Sequence, residues 1–532
     1  MGKRWNGWGS DSEDQPLGER ARRFLGERIG AAAPAPSASR EAALGAVGPT
    51  RLPSSTGFDT EVAVRLDHAF GQSLPDWIAL RSGRVGRCAD GVAFPASHDD
   101  ALAALEAAKR LGAVVIPYGG GTSVVGHLRV PETDRVVVHL SLEKLGGLQA
   151  LDATNLTARF GAGTPGPAIE AALAPHGLVL GHYPQSFEYS TAGGWVVTRS
   201  SGQQSLRYGR IEQLLHGARL ATPRGTLVVG GLPASSAGPD LREAVLGSEG
   251  RLGLVTDVTL RLRARAPTER FQAIFFPQWD AGLAAVRELA QGGVALSMLR
   301  YSSPVETETQ LGLVEGHERA MAWLARYLRW RGAGAGACLL LAGVTGSERE
   351  ARLAQAALGA AARRHHGVGA GASIGSSWAK NRFRAPYLRN SLWDAGYAVE
   401  TVETCVPWSA ASAMLAATEG AGRAALAGEG ERVHVFTHLS HVYRQGCSVY
   451  TTFVYRLAGD PDADLERWRR LKAAVSQAIV AGGGTISHQH GVGVDHAPYL
   501  EAEKGELGMG LLRAMARELD PAGMMNPGKL FA

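Results

Sequence analysis

The period of the apolar positions changes along the chain, and each change marks an element. Leu74-Pro75-Asp76-Trp77 opens the first sustained globular pattern, and Val92 to Pro95 reads as a short strand. Ser97 then caps a helix, with Asp100 in the capping-box position and Leu102, Leu105, Ala108 and Leu111 at helical spacing. Val114-Val115-Ile116-Pro117 is a buried-strand run that delivers the chain into a glycine loop. Val136 to Leu140 is the next strand. Thr157 to Gly163 reads as a strand ending in a turn, before a helix over 167–176. A strand-rich stretch follows from Val196 to Leu262. It contains a hairpin over 218–228 with its turn at Pro223 to Gly225, and a last strand over 254–262.

Near residue 266 the character changes. Long Ala-rich helical patterns (281–292, 316–331, 348–366, 409–426) alternate with strand runs at 273–276, 339–342 and 450–455. That alternation fits an antiparallel sheet covered by helices. A further helical pattern over 462–481 leads into Gly482-Gly483-Gly484 and the C-terminal tail. Residues 30–55, rich in Ala, Pro, Ser and Gly, read as a linker or loosely packed arm. The expected architecture is α+β, in four parts. These are an N-terminal arm and linker (1–74), a first domain (75–265), a cap or substrate domain (266–457), and a C-terminal helical segment (458–532) that returns to the site.

Composition narrows the class. At 532 residues the chain exceeds one compact core, so two or three domains are expected. Hydrophobic residues at 45% and charged residues at 20% are ordinary for a soluble globular enzyme. A formal charge of +5 over this length suits an anionic small substrate or contact with an acidic membrane surface. No basic run interleaved with aromatics marks a nucleic-acid site. Cys88, Cys338, Cys405 and Cys447 form no CxxC pair, which argues against a zinc ribbon or disulfide framework and suits a reducing compartment. The opening MGKRWNGWGSDSED has no apolar signal core, and no apolar run is long enough to span a bilayer. The expectation is a cytoplasmic protein, open to peripheral membrane contact.

Candidate chemistry begins at Pro117-Tyr118-Gly119-Gly120-Gly121-Thr122-Ser123. Successive glycines permit positive φ and close backbone approach, so several N–H groups can converge on phosphate oxygens. Thr122 and Ser123 add hydroxyl donors. By itself the loop fits a tight strand-to-helix turn equally well, and it is neither a GxGxxG nor a Walker loop. Three further segments follow in order: His182-Tyr183-Pro184-Gln185-Ser186-Phe187-Glu188-Tyr189-Ser190-Thr191 running into Ala192-Gly193-Gly194-Trp195, then Thr198-Arg199-Ser200-Ser201-Gly202, then Gly247-Ser248-Glu249-Gly250-Arg251-Leu252-Gly253. In this order and spacing the four segments resemble the FAD-binding domain of the vanillyl-alcohol oxidase superfamily, also called the p-cresol methylhydroxylase type. The resemblance covers about residues 75–265 and implies two α/β subdomains around FAD. It assigns cofactor binding to Pro117, Tyr118, Gly119, Gly120, Gly121, Thr122 and Ser123, to Gln185, Ser186, Ser190 and Thr191, to Thr198, Arg199, Ser200 and Ser201, and to Glu249, Gly250, Leu252, Gly253 and Val255. Relatives with covalent flavin often carry a histidine in the glycine loop. Thr122 stands there, so non-covalent FAD is implied.

Two groups within the superfamily compete. Leu519-Asp520-Pro521 and Asn526-Pro527-Gly528-Lys529-Leu530 resemble both the D-2-hydroxyacid dehydrogenases and the alkyldihydroxyacetonephosphate synthases, and are nearer the first. The dehydrogenases carry His-x-Gly-Asp-Gly-Asn-Leu-His, whose histidines bind a divalent metal that polarises the substrate hydroxyl. In the matching stretch, Phe436 to Tyr450, the Gly-Asp-Gly-Asn is gone and Tyr450 replaces the second histidine. No metal is implied. The same stretch is similar to the synthases, where a tyrosine in Gly-x-x-x-Tyr is the catalytic acid/base and Gly446 to Tyr450 match. His182 heads their HxPxSxEFS-type segment. Ser487-His488-Gln489-His490-Gly491-Val492-Gly493 resembles their Ser-His-His-His-Gly-Val-Gly, with Gln489 for the middle histidine. Arg389 falls at the arginine that binds substrate phosphate, and Arg300 at another needed for activity. Arg4-Trp5-Asn6-Gly7-Trp8-Gly9 resembles the start of the mature synthase.

The resemblance therefore implies a synthase-like transferase of ether lipid synthesis. It would exchange the acyl group of acyl-dihydroxyacetone phosphate for a fatty alcohol through an adduct on flavin N5, with no net redox change. Tyr450, His182, His488, His490 and Arg300 are the implied catalytic residues and Arg389 the substrate-binding one. A phenol is a weak base near pH 7, so the histidines are expected to lower the pKa of Tyr450 or to relay its proton. Arg389 offers phosphate a planar bidentate donor. The implied partners are lipid-like small molecules, and a homodimer stays open. The alternative is an FAD-linked oxidase or dehydrogenase of a D-2-hydroxyacid, and the third reading a non-catalytic flavin-binding or membrane-associated scaffold. Taken singly, Tyr450 also fits a packing residue on an alternating strand, and lone arginines also fit surface ion pairs.

Overall fold

The computed structural model describes residues 3–13, 16–53, 56–313 and 318–531. Gly91–Ala93, Val137–Ser141 and Val114–Tyr118 form a parallel sheet in that order. Val137–Ser141 is buried throughout, as a parallel strand covered on both faces must be. Helix His98–Arg110 begins as the sequence predicts, with the Ser97 hydroxyl accepting the Asp100 N–H at 3.0 Å. The Asp100 carboxylate reaches back to the N–H of Ala96 at 3.1 Å, one residue before the cap. A five-stranded antiparallel sheet follows, ordered Leu148–Asp152, Thr157–Gly161, Leu254–Arg261, Leu215–Thr222, Gly225–Gly230. Its last two strands are the predicted hairpin, closed by Thr222 opposite Gly225. The stretch expected to become strand-rich at Val196 is helical there. Thr191 accepts the Gly194 N–H and caps a helix over Ala192–Thr198.

The cap carries a seven-stranded antiparallel sheet, ordered Val368–Gly369, Thr268–Phe276, Cys338–Gly346, Met298–Ser302, His434–Leu439, Gly446–Arg456, Tyr397–Pro407. Ile274, Phe276, Leu299, Tyr301, Leu340 and Ala342 point to one face, under helices Trp279–Gln291 and Glu348–Arg364. On the other face Glu318–Trp330 and Ser373–Asn381 pack at one end, over Phe271, Phe275, Met298 and Leu341. Ala385–Asp394 packs at the other end, on Tyr397–Pro407. Ser302 lies opposite His438, and His438 opposite Tyr450, so Arg300, His438 and Tyr450 share this second face. The helix expected over 316–331 is seen as Glu318–Trp330; positions 316 and 317 lie outside the described residues.

Ahead of the expected linker, Leu17, Leu25 and Ile29 bury against Leu392, Tyr397 and Val454 of the cap. Within residues 30–55, Arg40–Ala46 is a helix capped by Ser39. After helix Pro461–Ala481 the chain loops back through Ser487 to Asp495 and becomes helical again over Leu500–Leu519, kinked at Gly505 (φ +69°). It ends on the first domain, where Asn526 N–H donates to Val115 O at 2.8 Å. Among the described residues no helix is long and apolar enough to cross a membrane.

Candidate active site

Gly119, Gly120 and Gly121 run beneath Tyr189 to Thr191. A Cβ on Gly120 would lie 2.0 Å from the Tyr189 carbonyl oxygen, and one on Gly119 2.8 Å from Thr191 Oγ1. Gly121 sits at φ +70°. These positions demand glycine. Among the described residues, no protein acceptor takes the N–H groups of Gly119 to Ser123. A run of unpartnered backbone donors suits a pyrophosphate, so the loop fits FAD.

The neighbouring candidates do different work. Ser190 Oγ accepts Trp195 Nε1–H at 2.7 Å and Thr198 Oγ1 donates to Gly194 O at 2.8 Å. Ser186 accepts the Ser190 hydroxyl through its carbonyl at 2.9 Å, and Ser201 Oγ lies 3.3 Å from His441 Nδ1. Gln185 donates to Arg382 O across in the cap, at 2.8 Å, and Arg199 pairs with Glu243 at 3.0 Å. Glu249, at φ +51°, accepts the N–H groups of Val492 (2.5 Å) and Gly493 (2.8 Å) and lies 2.9 Å from His127. Its carboxylate therefore ties the histidine loop to the cradle. Gly250 leans on the Pro117 ring, 2.8 Å from a Cβ built there. Leu252 and Val255 are buried in the core behind it.

Tyr450, on the cap strand Gly446–Arg456, faces the histidine loop that Glu249 ties to this cradle. Its ring stacks on His438 at 4.8 Å and meets His490 edge-on at 5.9 Å. Glu306, from helix Pro304–Gly312, holds the other side of His438 at 2.9 Å and Arg300 at 2.5 Å. Burial would raise the Glu306 carboxyl, but His438 and Arg300 hold it down at about 2. Arg389 donates to Gln72 O at 2.5 Å and lies over the Trp77 ring at 4.5 Å. Burial lowers its pKa, against Glu400 and Tyr450. The cationic environment expected for Tyr450 is not what surrounds it. Burial, with Glu403 and Glu400 nearby, pushes the phenol up to about 12, and Arg389 is the cation that opposes them. Tyr450 is therefore a neutral hydroxyl at pH 7. Burial lowers His490 and His438, so both are neutral imidazoles there.

Glu403 is the hub that sequence reasoning missed. It lies opposite Tyr450 in the strand pair and is 1% exposed. Ser440 Oγ donates to it, as does Gln489 Nε2 at 2.5 Å, and His488 Nδ1 lies 3.2 Å away. Burial opposes its charge, but these histidine and hydrogen-bond partners keep it ionised. On the far side of the ring, Arg210 donates to His488 Nε2 at 2.7 Å and Tyr443 Oη lies 2.6 Å away. An arginine can only donate, so Nε2 is the acceptor and Nδ1 carries the proton toward Glu403. Glu403, His441 and His488 have ligand atoms within 4.8 Å of one another. That tautomer turns a proton, not a lone pair, into their shared space and disfavours a metal there. The visible signal for Glu403 was a pair of carboxylates, Glu400 and Glu403, inside the apolar strand Tyr397–Pro407.

His182 stands apart from this cluster. It is fully buried, with Nε2 2.6 Å from Ser200 Oγ and its ring edge-on to Trp195 at 4.8 Å. Burial, reinforced by Arg210, takes it down to about 3, so it is a neutral packing and hydrogen-bonding group beside the cradle. Beyond His488 a cavity of about 630 Å³ opens under helix Leu500–Leu519, lined by Thr198, Arg199, Glu249, Leu252, Tyr443 and Phe531 among others.

Residues 89–231 match the family described as FAD binding domain, and residues 266–530 the family described as FAD linked oxidases, C-terminal domain. Fold and site thus define an FAD-dependent protein of the FAD-linked oxidase class, built on the p-cresol methylhydroxylase-type fold. Alkyldihydroxyacetonephosphate synthase of Caenorhabditis elegans is 31% identical over 485 residues, spanning 89% of this chain and 81% of that one. The Dictyostelium discoideum synthase is 29% identical over 475 residues, with 88% and 77% covered. The chain belongs to the alkyldihydroxyacetonephosphate synthase family. A mitochondrial D-lactate dehydrogenase of Arabidopsis thaliana is more distant, at 24% over 453 residues. A solved alkyldihydroxyacetonephosphate synthase superposes with a TM-score of 0.84 at 24% identity, over 99% of this chain and 98% of that one. p-Cresol methylhydroxylase superposes at 0.67 and 12% identity, covering 94% and 98%. These two likenesses establish the fold.

Proposed function

We propose that this enzyme forms the ether bond of alkyl-dihydroxyacetone phosphate, releasing a fatty acid from acyl-dihydroxyacetone phosphate and installing a fatty alcohol. The observation that carries the reading is the convergence on Tyr450 of His438, His490 and Arg389 from three separate elements. Non-covalent FAD, when bound, supplies a nucleophile able to hold C1 between loss of the carboxylate and arrival of the alcohol. Arg389 binds the phosphate, its guanidinium oriented by Trp77 and Gln72. Neutral His490 is placed to take the C1 proton, and the Tyr450 hydroxyl to donate one back. Arg300 and Glu306 hold His438, which fixes the Tyr450 ring, so these three position the donor. His488 acts as an anchor through Arg210 and Glu403.

The substrates carry long chains, and peripheral membrane contact belongs to the same reading. Helix Glu318–Trp330 supports it by exposing Trp323 (68%) and Trp330 (78%) beside exposed Arg326 and Arg329. The test is an anaerobic mixture of FAD-loaded protein, acyl-dihydroxyacetone phosphate and labelled fatty alcohol. Labelled ether product is expected, falling about 100-fold or more in Tyr450→Phe. No product, with flavin bleaching by D-lactate or glycolate instead, would overturn the reading.

A further inference from the structure

Residues 3–10 fold back on themselves. Lys3 bridges to Ser10, and Arg4 N–H donates to Gly9 O at 2.8 Å. The resulting hairpin lies between two parts of the site. Toward the first domain, Lys3 Nζ donates to Gly120 O in the glycine loop at 3.1 Å and lies 5.6 Å from the Tyr118 ring centre. Trp8 meets Tyr189 edge-on at 5.4 Å. Toward the cap, Asn390 clamps both backbone groups of Trp8: Oδ1 accepts its N–H at 3.0 Å, and Nδ2 donates to its carbonyl at 2.9 Å. Asn390 follows Arg389 on helix Ala385–Asp394.

Two more residues complete the connection. Gln72 donates through Nε2 to Gly7 O at 3.3 Å, and its own carbonyl accepts from Arg389. Arg81 donates to Asn6 O at 2.7 Å and pairs with Asp394 at 2.7 Å. The fit is close. A Cβ on Gly7 would lie 2.4 Å from Asn390 Oδ1, and one on Gly9, at φ +88°, 2.3 Å from the Tyr387 ring. Seven residues thus converge on a segment that the sequence assigns only to an N-terminal arm.

The glycine loop, PYGGGTS, carries no cation of its own. A pyrophosphate on it would bring two negative charges to a loop that itself contributes only amides and hydroxyls. Lys3 brings an ammonium to the middle glycine of that loop. We propose that residues 3–10 form a clasp coupling the FAD cradle to the Arg389 helix, with Lys3 the cation that contacts the FAD pyrophosphate. The clasp can transmit order both ways. FAD holds Lys3, Lys3 and Trp8 hold the hairpin, and the hairpin holds Asn390 beside Arg389. Coupling of this kind is reciprocal, so FAD and a phosphate at Arg389 tighten each other by one common factor. The Arg389 half rests on the proposed function; the FAD half does not.

The experiment titrates apo-protein of the full chain with FAD, following flavin fluorescence. It then titrates apo- and FAD-loaded protein with inorganic phosphate and dihydroxyacetone phosphate by calorimetry. Lys3→Ala is expected to weaken FAD about tenfold, from loss of one charge-assisted contact, and Lys3→Arg to restore most of it. Asn390→Ala keeps Lys3 but loosens the clasp. It is expected to weaken FAD several-fold and to erase the tightening of phosphate binding by FAD. Gln72→Ala, which removes only the Nε2 link to Gly7 and the contact to Trp77, replaces it if Asn390→Ala does not fold. FAD affinity within twofold of wild type in Lys3→Ala would overturn the cation assignment, and phosphate affinity indifferent to FAD in the wild type would overturn the coupling. If phosphate binds neither form, the assignment of Arg389 fails. The clasp then stands or falls on whether Asn390→Ala weakens FAD.

Discussion

Replacing Glu403 by Gln removes a charge from the centre of the site while keeping its shape. The carboxylate is 1% exposed and collects Ser440 Oγ, Gln489 Nε2 and the protonated Nδ1 of His488. Hydrogen bonds to a charged group contribute about 1.5–3 kcal/mol and neutral ones about 0.5–1.5, so neutralising the acceptor costs about 1 kcal/mol for each of its donors. The amide creates a second problem. One of its two ends becomes a donor, and it must face Gln489 Nε2 or His488 Nδ1, which are donors already. A buried unpaired donor costs about 1–3 kcal/mol more. The expected loss is about 4–6 kcal/mol, against the about 5–15 kcal/mol by which folded domains are usually stable. Differential scanning calorimetry of FAD-loaded protein at pH 7 should show the melting temperature falling by about 8 °C or more, since 1 kcal/mol is worth about 2–4 °C in a domain of a few hundred residues. Ether-forming activity should fall as well, because the Nδ1 proton of His488 loses the anion it faces. A melting shift under about 2 °C, with kcat unchanged, would show that Glu403 organises nothing and refute the argument.

Arg389→Lys keeps the charge but loses the planar fork and the stacking on Trp77; KM for acyl-dihydroxyacetone phosphate should rise about 10–100-fold with a smaller change in kcat, read from initial rates. Glu306→Gln leaves Arg300 and His438 without their shared anion and should cost about 3–5 kcal/mol, while Glu306→Gln with Arg300→Met should recover much of it; equal melting of the single and double variants would count against the pairing. Asp495 is raised by burial to about 6, so its contribution to stability is present at acid pH and is lost as pH climbs from about 4 through about 6. Asp495→Asn should therefore melt higher than wild type at pH 8, by the equivalent of about 3 kcal/mol, and show no such advantage at pH 4.5; a gap equal at both pH values would refute the burial argument.

Local features were legible because their causes are local. Ser97 and Asp100 sit three apart and cap the helix they announce. The hairpin at Pro223 to Gly225 needed only its turn chemistry, and the glycine loop only its positive φ and close approach to Tyr189. The misreading at Ala192–Thr198 has an equally clear origin. Gly-Gly-Trp-Val-Val favours a strand, yet the Thr191 cap and the burial of Trp195 and Val196 impose a helix. What stayed hidden depends on register. Glu403 and His438 flank Tyr450 because Glu403 pairs with Tyr450 in one strand ladder and His438 pairs with it in the next. Glu306 arrives from a helix more than a hundred residues away in sequence. The direction of the Tyr450 pKa was hidden for the same reason: the histidines were visible in the sequence, but the burial of the phenol and the carboxylates around it were not.

That reversal changes how the site can work. A phenol held near 12 is too weak an acid to be ionised at pH 7, so we propose that the resting base is not Tyr450 but His490. Burial keeps it neutral, while Glu403 favours its protonated form and lowers the cost of accepting a proton. Burial keeps the proton on Tyr450, and the same carboxylate adds to that. One buried charge therefore pushes two neighbours in opposite directions of use, making the imidazole a better acceptor and the phenol a retained donor. A reaction that removes a proton from C1 and later returns one has a use for both. If this division holds, activity falls on the acid side as His490 becomes protonated in the free enzyme. Tyr450→Phe should then still exchange the C1 proton with solvent while failing to release product, and His490→Ala should lose the exchange itself. Loss of exchange in Tyr450→Phe, with exchange intact in His490→Ala, would reverse the assignment.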